Sequence, residues 1–335
     1  MTTNNTEIPA DPGKRYRAFA TEQAAGISAS LGAWAEAVAE YEDLQAIIAT
    51  LPADKQQPNL VFAAARWHGA QPGSVASLRE HLTTHWRAVK STILSRATQT
   101  NEAARCSAIL LGLQHIPGPI ALLEVGASAG LCLIPDRYSY KFGDDRRLDP
   151  ENGPSPVVID IDLRGNLQAP TRMPRVTWRA GLDANPLDPA DPDTLTWLET
   201  LVWPEQEARR ARLRAAASLA SRHDVMIWRG DLRTDLDALV AAAPDDATLV
   251  VTHSATLAYL DKQDREDVVT HIERLGAHRI SYEGRGADPA VPLIDDPLTP
   301  DTLFVAALDG RPYALGDGHA TTLTRPRQAP DLPDA

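Results

Sequence analysis

Two hydrophobic patterns divide the chain, and one gives way to the other at Pro119. Upstream, apolar residues recur every three or four positions, a period typical of amphipathic helices. The two clearest stripes comprise Leu31, Trp34, Val38, Tyr41, Leu44 and Ile48, then Val75, Leu78, Leu82, Val89 and Ile93. Prolines and glycines separate these stretches, so the pattern predicts a helical domain over residues 15–117.

Downstream of Pro119, short runs rich in Val, Ile and Leu alternate with helical stretches. The runs predict buried strands at 121–125, 225–228, 248–252 and 279–282. The stretches between them predict helices at 195–221, 235–243 and 261–275. Strands and helices in alternation are typical of a parallel sheet with helices on both faces.

The end of the chain follows a different pattern. Predicted strands at 302–308 and 319–324 are joined by the glycine-containing segment 309–318, which favours an antiparallel hairpin. The predicted fold class is therefore α/β: a helical domain, then a doubly wound, mostly parallel Rossmann-like sheet over 118–324 that ends in this hairpin. Residues 1–14 and 325–335 are polar and contain prolines, so we expect them to be disordered or flexible.

Residues 132–180 are predicted to form an insertion in this sheet domain. Within it, residues 157–163 alternate as a strand that carries Asp160 and Asp162 on one face. One pairing open to this strand is with residues 175–179, which would give a two-stranded insertion.

Composition narrows the class of partner. The chain has 335 residues and a net charge of −12, which counts against general binding to nucleic acids or anionic membranes and favours a small-molecule substrate. No run of about 18 apolar residues occurs, and the first residues lack the layout of a signal peptide. Two cysteines, Cys106 and Cys132, are typical of buried reduced thiols in a cytoplasmic protein, and no metal site is expected.

The strongest local signal is a glycine loop that follows a buried strand, with Glu124, Gly126, Ala127, Ser128 and Gly130. Glycines permit a sharp bend where a ligand approaches the backbone. The loop resembles the first loop of S-adenosylmethionine-dependent methyltransferases of class I, in which an acidic residue precedes the glycine turn. That resemblance implies S-adenosylmethionine as cofactor, whereas the alternative is a tight turn that binds no ligand.

Two later acids stand where this resemblance calls for ligand contacts. Asp183 follows a predicted strand and would accept hydrogen bonds from ribose hydroxyls, while Asp231 follows the next strand and would meet the adenine amino group. The alternatives are an Asx turn or helix cap at Asp183 and a helix N-cap at Asp231. Asp160 or Asp162 stays open as the ribose ligand instead of Asp183.

Other polar residues are candidates for contact with a substrate. Gln99, Asn101 and Glu102 precede the strand of the glycine loop, and Arg137 and Tyr138 follow that loop. The first group is also compatible with helix capping, and the second with a surface corner.

His253 and Glu283 each end a predicted strand, at the edge where ligands bind in doubly wound sheets. The histidine is a candidate general base and the glutamate a candidate partner for a cationic substrate group. A histidine at such a position is also compatible with a purely structural hydrogen bond.

The chain also resembles the uncharacterised domain-of-unknown-function family 2332 from about Phe19 to Leu323. The motifs that carry the resemblance are Gln57-Pro-Asn-Leu60, Gln99-Thr-Asn-Glu102, Glu124-Val-Gly-Ala-Ser-Ala-Gly-Leu131, Pro135-Asp-Arg-Tyr138, Gly181-Leu-Asp183, Asn185-Pro-Leu-Asp188, Trp203-Pro-Glu205 and Arg229-Gly-Asp-Leu232. This resemblance implies no particular activity, so the functional hypotheses depend on the residues.

Three functional hypotheses follow. The first is a methyltransferase that transfers the methyl group of S-adenosylmethionine to a small acceptor, with the helical domain as lid and substrate selector. The second is a regulatory protein that binds the same ligand without catalysis. The third is a serine hydrolase with Ser128 as nucleophile, since Gly126-Ala-Ser-Ala-Gly130 fits the Gly-x-Ser-x-Gly pattern, and with Asp231 or Asp261 and His319 as partners.

Overall fold

A computed structural model describes residues 11–143, 146–223, 225–329 and 332. The described chain divides into two compact units. One is helical and contains residues 11–100 and 192–211, and the other contains the sheet, with the described residues of 101–191 and 212–335. The sequence predicts a boundary near residue 117, whereas the division falls after Thr100. Residues 1–10 of the predicted disordered terminus lie outside the described residues.

Within its described residues, the helical unit contains seven helices and the first part of an eighth. They are α1 (Pro12–Ala18), α2 (Ala29–Glu40), α3 (Glu42–Ala49), α4 (Pro58–Trp67), α5 (Val75–Thr83), α6 (Trp86–Ser95), α8 (Pro192–Leu201) and the start of α9 (Glu207–Ala220). A segment of π-helix, Phe19–Ala24, continues α1. The core is rich in aromatic residues, and Trp34 and Phe62 lie in it almost fully buried. Helical periodicity predicts this core because its side chains recur on one face of each helix.

Residues 192–211 belong to the helical unit because tryptophans anchor them there. Trp197 is buried in the helical core, and its Nε1 donates to the carbonyl oxygen of Ala97 at 3.1 Å. Arg66 donates to two carbonyl oxygens of the returning segment, each at 2.8 Å. Local periodicity carries no information on this return, since the contacts join residues one hundred or more positions apart.

In the part of the second unit that the structure describes, eleven strands form one sheet. They are β1 (Ile120–Val125), β2 (Ser139–Phe142), β3 (Arg146–Leu148), β4 (Val158–Arg164), β5 (Val176–Asp183), β6 (Met226–Arg229), β7 (Thr248–Ser254), β8 (His278–Gly284), β9 (Phe304–Leu308), β10 (Arg311–Gly316) and β11 (Thr322–Thr324). Their order is β3-β2-β4-β11-β10-β9-β8-β7-β1-β5-β6. Helices α7 (Cys106–Leu113), α10 (Leu236–Val240) and α11 (Lys262–Arg274) belong to this unit, as does the rest of α9.

The five strands β8-β7-β1-β5-β6 run parallel, with β1 in the middle. All six residues of β1 are buried, as expected of a strand covered on both faces. Leu123 and Val125 pack with residues of α10 and α11 on one face. On the other face α7 packs on β8, where Gly112 lies against the Ile280 side chain. The mixed α/β class with a large, mostly parallel sheet is therefore confirmed.

The predicted hairpin is formed by different strands. β9 pairs with β10 around Asp309 and Gly310, within the segment that the sequence assigns to the connection, and β11 then pairs antiparallel with β10. Pro312 lies within β10 although a proline cannot donate a backbone hydrogen bond. The β9–β10 pairing shifts in register between Pro312 and Ala314, and such an irregularity accommodates a proline.

The strand predicted at 157–163 is present as β4, but its neighbours differ from the suggested ones. It pairs with β2 and β11, and five strands separate it from β1. The segment 132–180 therefore contributes β2, β3 and β4 to the far side of the sheet, and it also supplies the beginning of β5. None of the helices in the described part of the chain is long and apolar enough to cross a membrane.

Candidate functional site

Four candidate residues of the sheet unit, Glu124, Asp183, His253 and Glu283, lie at or next to the carboxyl ends of parallel strands. Because successive side chains of a strand point to opposite faces, register decides which of them share a face. Glu124 pairs with Gly181 and Thr252, and His253 pairs with Ser281. Glu124 and His253 therefore lie on opposite faces of the sheet, so the residues predicted to form one site belong to two places.

The glycine loop bends sharply after β1, with positive φ angles at Gly126, Ser128 and Gly130 of 75°, 50° and 69°. The structure explains both glycines by packing as well as by φ. A Cβ atom at Gly126 would lie 2.6 Å from Cγ2 of Thr256, and one at Gly130 would lie 2.9 Å from a methyl group of Val225. The space next to these glycines is thus taken by the protein's own side chains.

Every backbone N–H from residue 126 to residue 130 has an acceptor inside the protein. Gly126 and Ala127 donate to the carbonyl oxygen of Leu182 at 2.8 and 3.3 Å. Ser128 donates to Oδ2 of Asp183 at 2.8 Å, Ala129 to Oδ1 of Asn101 at 2.9 Å and Gly130 to the Ala127 carbonyl at 2.7 Å. Two short 3-10 helices, Leu131–Leu133 and Pro135–Arg137, follow the loop, where the resemblance implies an α-helix.

Asp183 is the last residue of β5, the neighbour of β1. Its Oδ2 accepts from the Ser128 N–H, and its Oδ1 accepts from the N–H of Asn185 at 2.7 Å. The second bond is the Asx turn named as the alternative, while the first ties the side chain to the glycine loop. An ionised carboxylate offers about four acceptor positions, so one position on each oxygen is left.

Glu124 is a buried acid, with 4% of its surface exposed. Its Oε2 has no hydrogen-bond partner among the described residues. Burial raises its pKa well above the usual value, and the nearby Cys132 and Asp183 add to the shift, while Arg105 opposes it. The arrangement keeps a protonatable carboxyl directly below the glycine loop.

Asn101 and Glu102 begin the sheet unit, and both side chains make hydrogen bonds within it. Asn101 clamps the glycine loop, since its Nδ2 donates to Ser128 Oγ at 3.0 Å and its Oδ1 accepts from Ala129. Glu102 is buried and accepts from Arg212 Nε at 2.8 Å and from the Ala104 N–H at 3.0 Å. The latter bond is the predicted type of cap, here on a 3-10 turn.

Three further candidates are engaged elsewhere. Gln99 is half-buried and belongs to the helical unit. Tyr138 is fully buried and donates to the carbonyl oxygen of Leu131 at 2.7 Å, so its ring packs in the core instead of lining an open pocket. Arg137 lies 3.1 Å from Asp136 through Nε, in the corner arrangement named as its alternative.

The remaining acids make local contacts. Asp231 accepts from the backbone N–H and the guanidinium of Arg233, and these bonds lower its pKa to about 2. Asp261 caps α11 through the N–H of Asp264. Asp160 and Asp162 lie exposed on β4, remote from β1 in the strand order, so the structure gives them no contact with the glycine loop.

His253 and Glu283 form a buried pair on the face opposite Glu124. His253 Nδ1 lies 2.8 Å from Glu283 Oε1, and the two side chains are 0% and 1% exposed. His253 Nε2 lies 3.2 Å from Nη1 of Arg279, which also donates to Asp288. Both ring nitrogens of His253 therefore face protein groups.

The partners of His253 fix its proton. A guanidinium only donates hydrogen bonds, so Nε2 must accept from Arg279. Nδ1 therefore donates its hydrogen to Glu283 Oε1. Glu283 Oε1 also accepts from the N–H of Thr256 at 2.9 Å, whereas Oε2 has no partner among the described residues.

Sequence reasoning missed Arg105, Arg279 and Asp288. An arginine within a buried apolar run, as at 279–282, is a signal of a buried ion pair and would have pointed to Arg279. Arg105 is 6% exposed and donates to the carbonyl oxygens of Ser254 and Gly318. No comparable pattern marks Asp288. Among the described residues, no group of three or more acidic, histidine or cysteine side chains is arranged to hold a metal ion.

Comparison with protein families places the chain in a group without an assigned activity. Residues 13–323 match the model described as "Uncharacterized protein conserved in bacteria (DUF2332)". The chain belongs to this family. The match spans both units, so the DUF2332 domain includes the helical segment as well as the sheet. No curated protein matches the chain.

Proposed function

We propose that the edge formed by β1 and β5 binds S-adenosylmethionine and that the protein transfers its methyl group to a small-molecule acceptor. The strand order supports a ligand site at this edge. After β2, β3 and β4, the chain adds β5 and β6 on one side of β1 and then returns to β7 and β8 on its other side, so the direction of winding reverses next to β1. In open α/β sheets, ligands bind outside the carboxyl ends of the strands at such a reversal.

The observation that carries the proposal is the chemistry of the groups at this edge. The N–H donors of the glycine loop are already paired, so the loop has no free amides with which to hold a pyrophosphate. The carboxylate of Asp183 offers acceptors instead. A ligand matched to it brings hydroxyl donors, as the ribose of S-adenosylmethionine does.

Asp183 fits a vicinal diol in particular. Its two bonds to backbone N–H groups hold the carboxylate in one orientation, with one acceptor position left on each oxygen. Two adjacent ribose hydroxyls would each donate to one oxygen. Charge-assisted hydrogen bonds of this kind are worth about 1.5–3 kcal/mol each.

A direct test is calorimetric titration of the full chain with S-adenosylmethionine and S-adenosylhomocysteine. We expect both to bind, and we expect Asp183→Asn to weaken both by about tenfold or more, because a charge-assisted bond is lost. Asp160→Asn is the matched control, since Asp160 is an exposed acid on β4, which five strands separate from β1. Absence of binding to either compound by the unaltered chain would refute the proposal.

A second comparison separates diol recognition from a general disturbance of the loop. Adenosine should bind more tightly than 2′-deoxyadenosine to the unaltered chain, and Asp183→Asn should reduce that difference. A variant that weakens both nucleosides equally would mean that Asp183 only supports the loop. Formation of S-adenosylhomocysteine during a screen of small acceptors then distinguishes an enzyme from a protein that binds the ligand without catalysis.

A further inference from the structure

Arg105 is a buried arginine without an acidic partner at the carboxyl end of the parallel strands. It is 6% exposed, and no carboxylate oxygen of the described residues lies within 4.0 Å of its guanidinium nitrogens. The other deeply buried arginine of the sheet unit, Arg279, is paired with Asp288. A buried charge without a counter-ion is costly, so a ligand that brings an anion to Arg105 would stabilise it.

The guanidinium of Arg105 uses only part of its hydrogen-bonding capacity. Nε donates to the Gly318 carbonyl at 3.1 Å, and Nη1 donates to the Ser254 carbonyl at 3.3 Å. Nη2 has no acceptor among the described residues, and it is not closed off from solvent. Two of the five N–H donors are therefore used, which leaves three, and both hydrogens of Nη2 are among them.

The position of this guanidinium is fixed by its surroundings. The two carbonyl groups hold it, and its central carbon lies 5.7 Å from the ring centroid of Phe304. Phe304 pairs with Gly284, and the register of the strands places it on the same face of the sheet as Glu124. Arg105 therefore lies on the Glu124 face, at the edge where ligands of open α/β sheets bind.

The acids near Arg105 do not neutralise it by contact. Burial raises the pKa of Glu124 well above its usual value, which favours the neutral carboxyl although Arg105 opposes the shift. Asp317 is engaged by the backbone, because its two oxygens accept from three N–H groups between residues 319 and 322. Within the described chain, the accessible donors of Arg105 thus have no anionic acceptor.

An exposed aromatic ring belongs to the segment that Arg105 holds. Tyr259 is 73% exposed and ends the short 3-10 helix Leu257–Tyr259, which follows β7. Leu257 is fully buried and anchors this helix. Burial of the hydroxyl raises the pKa of Tyr259 and the charge of Arg105 opposes the rise, so the phenol lies within the electrostatic range of the guanidinium. The ring therefore offers an apolar surface near the accessible donors.

The planar fork of an arginine matches the two oxygens of a carboxylate, and an aromatic ring favours contact with another planar group. We propose that Arg105 binds the carboxylate of a small organic acid, whose carbon skeleton lies against the ring of Tyr259. The chemistry of this site is the reverse of that at Asp183, which accepts hydrogen bonds. The proposal does not require that S-adenosylmethionine binds.

The test compares benzoate with benzamide, which has the same ring and a planar head group without the charge. Titrations of the full chain at pH 7, followed by calorimetry or by NMR of the ligand, should show benzoate binding at least about tenfold more tightly, because only benzoate makes charge-assisted bonds. Equal binding of the two would overturn the proposal, and so would failure of benzoate to bind.

Two variants locate the site. Arg105→Lys keeps the charge but loses the planar fork, so it should weaken benzoate by about tenfold or more, although loss of the bonds to Ser254 and Gly318 can disturb the fold. Tyr259→Ala removes only an exposed ring and should weaken benzoate by about two- to tenfold. Tyr41→Ala is the matched control, since Tyr41 is an exposed tyrosine of the helical unit. Unchanged benzoate binding in Tyr259→Ala would place the acid elsewhere and refute the proposal.

A further titration identifies the source of the carboxylate. S-adenosylhomocysteine carries a carboxylate of its own, whereas adenosine does not. If both compounds leave benzoate binding unchanged, Arg105 serves a second ligand, and if only S-adenosylhomocysteine displaces benzoate, Arg105 holds the amino-acid end of that compound. Both results support the carboxylate site. If S-adenosylhomocysteine does not bind at all, the function proposed above fails, while the comparison of benzoate with benzamide still decides this proposal.

Discussion

Gly126→Ala tests whether the glycine loop is held by the packing described above. Gly126 has a φ of 75°, a region that side-chain-bearing residues rarely adopt, and it lies directly under Thr256. A Cβ atom at this position would be 2.6 Å from Thr256 Cγ2 and closer still to Oγ1. Thr256 has little freedom to move, because its Oγ1 donates to the Val125 carbonyl at 3.2 Å and its N–H donates to Glu283.

The expected cost has two parts. An alanine in the left-handed region costs about 1–2 kcal/mol relative to its preferred conformation. Forcing an extra carbon into a packed region costs typically about 1–3 kcal/mol. We therefore expect Gly126→Ala to lower the free energy of opening of β1 by about 2–5 kcal/mol.

Hydrogen exchange of the β1 amides, followed by mass spectrometry, measures this free energy within the sheet unit itself. Gly276→Ala is the matched control, since Gly276 has a φ of 68° and nothing within 4 Å of an added Cβ atom. The control should lose only the conformational part, about 1–2 kcal/mol. If Gly126→Ala and Gly276→Ala lowered the free energy of opening equally, the packing argument would be refuted, because an added Cβ atom at Gly126 would then meet no resistance.

Three further predictions concern buried or bonded acids. Glu124→Gln should make hydrogen exchange of the β1 amides less dependent on pH. Because the folded-state pKa of Glu124 is raised, its contribution to stability is complete below the unfolded-state pKa and is lost as pH rises towards the folded-state pKa. In exchange experiments at pH 5 and pH 8, the variant should therefore gain stability relative to the unaltered chain at the higher pH. Asp136→Asn should destabilise the sheet unit by about 3–5 kcal/mol in the same assay, because it disrupts the buried, two-bonded pair with Arg179. Burial opposes ionisation of Glu205, but hydrogen bonds from Ser28 and Ser30 outweigh it and lower the pKa of Glu205. The contribution of this carboxylate to stability therefore disappears as pH falls through the folded-state pKa. Glu205→Gln should accordingly weaken exchange protection of α2 at pH 7 but not at pH 3.

Local pattern was sufficient to predict the centre of the sheet. The strands expected at 121–125, 225–228, 248–252 and 279–282 correspond to β1, β6, β7 and β8, because each is a short run of β-branched and aliphatic residues between turns. The order of the strands and the partners of β4 were not predictable in this way. They depend on contacts between segments that are far apart in sequence, and a single sequence carries no signal of them.

Individual residues at the site were easier to identify than their groupings. Asp183 and Ser128 are joined by a hydrogen bond, in agreement with the expectation that they share an edge. Glu124 and His253 were assigned to one site because each lies near the end of a central strand, but they lie on opposite faces. Which face a strand-end residue occupies depends on register, and a shift of one residue reverses it.

Thr256 connects these two faces, which has a consequence for ligand binding. Its N–H donates to Glu283 on one face, while its side chain lies over Gly126 and donates to Val125 at the start of the glycine loop. Packing at Gly126 leaves little room for Thr256 to adjust on its own. A ligand that displaces the glycine loop should therefore move Thr256 and change hydrogen exchange of its amide, which is bonded to Glu283.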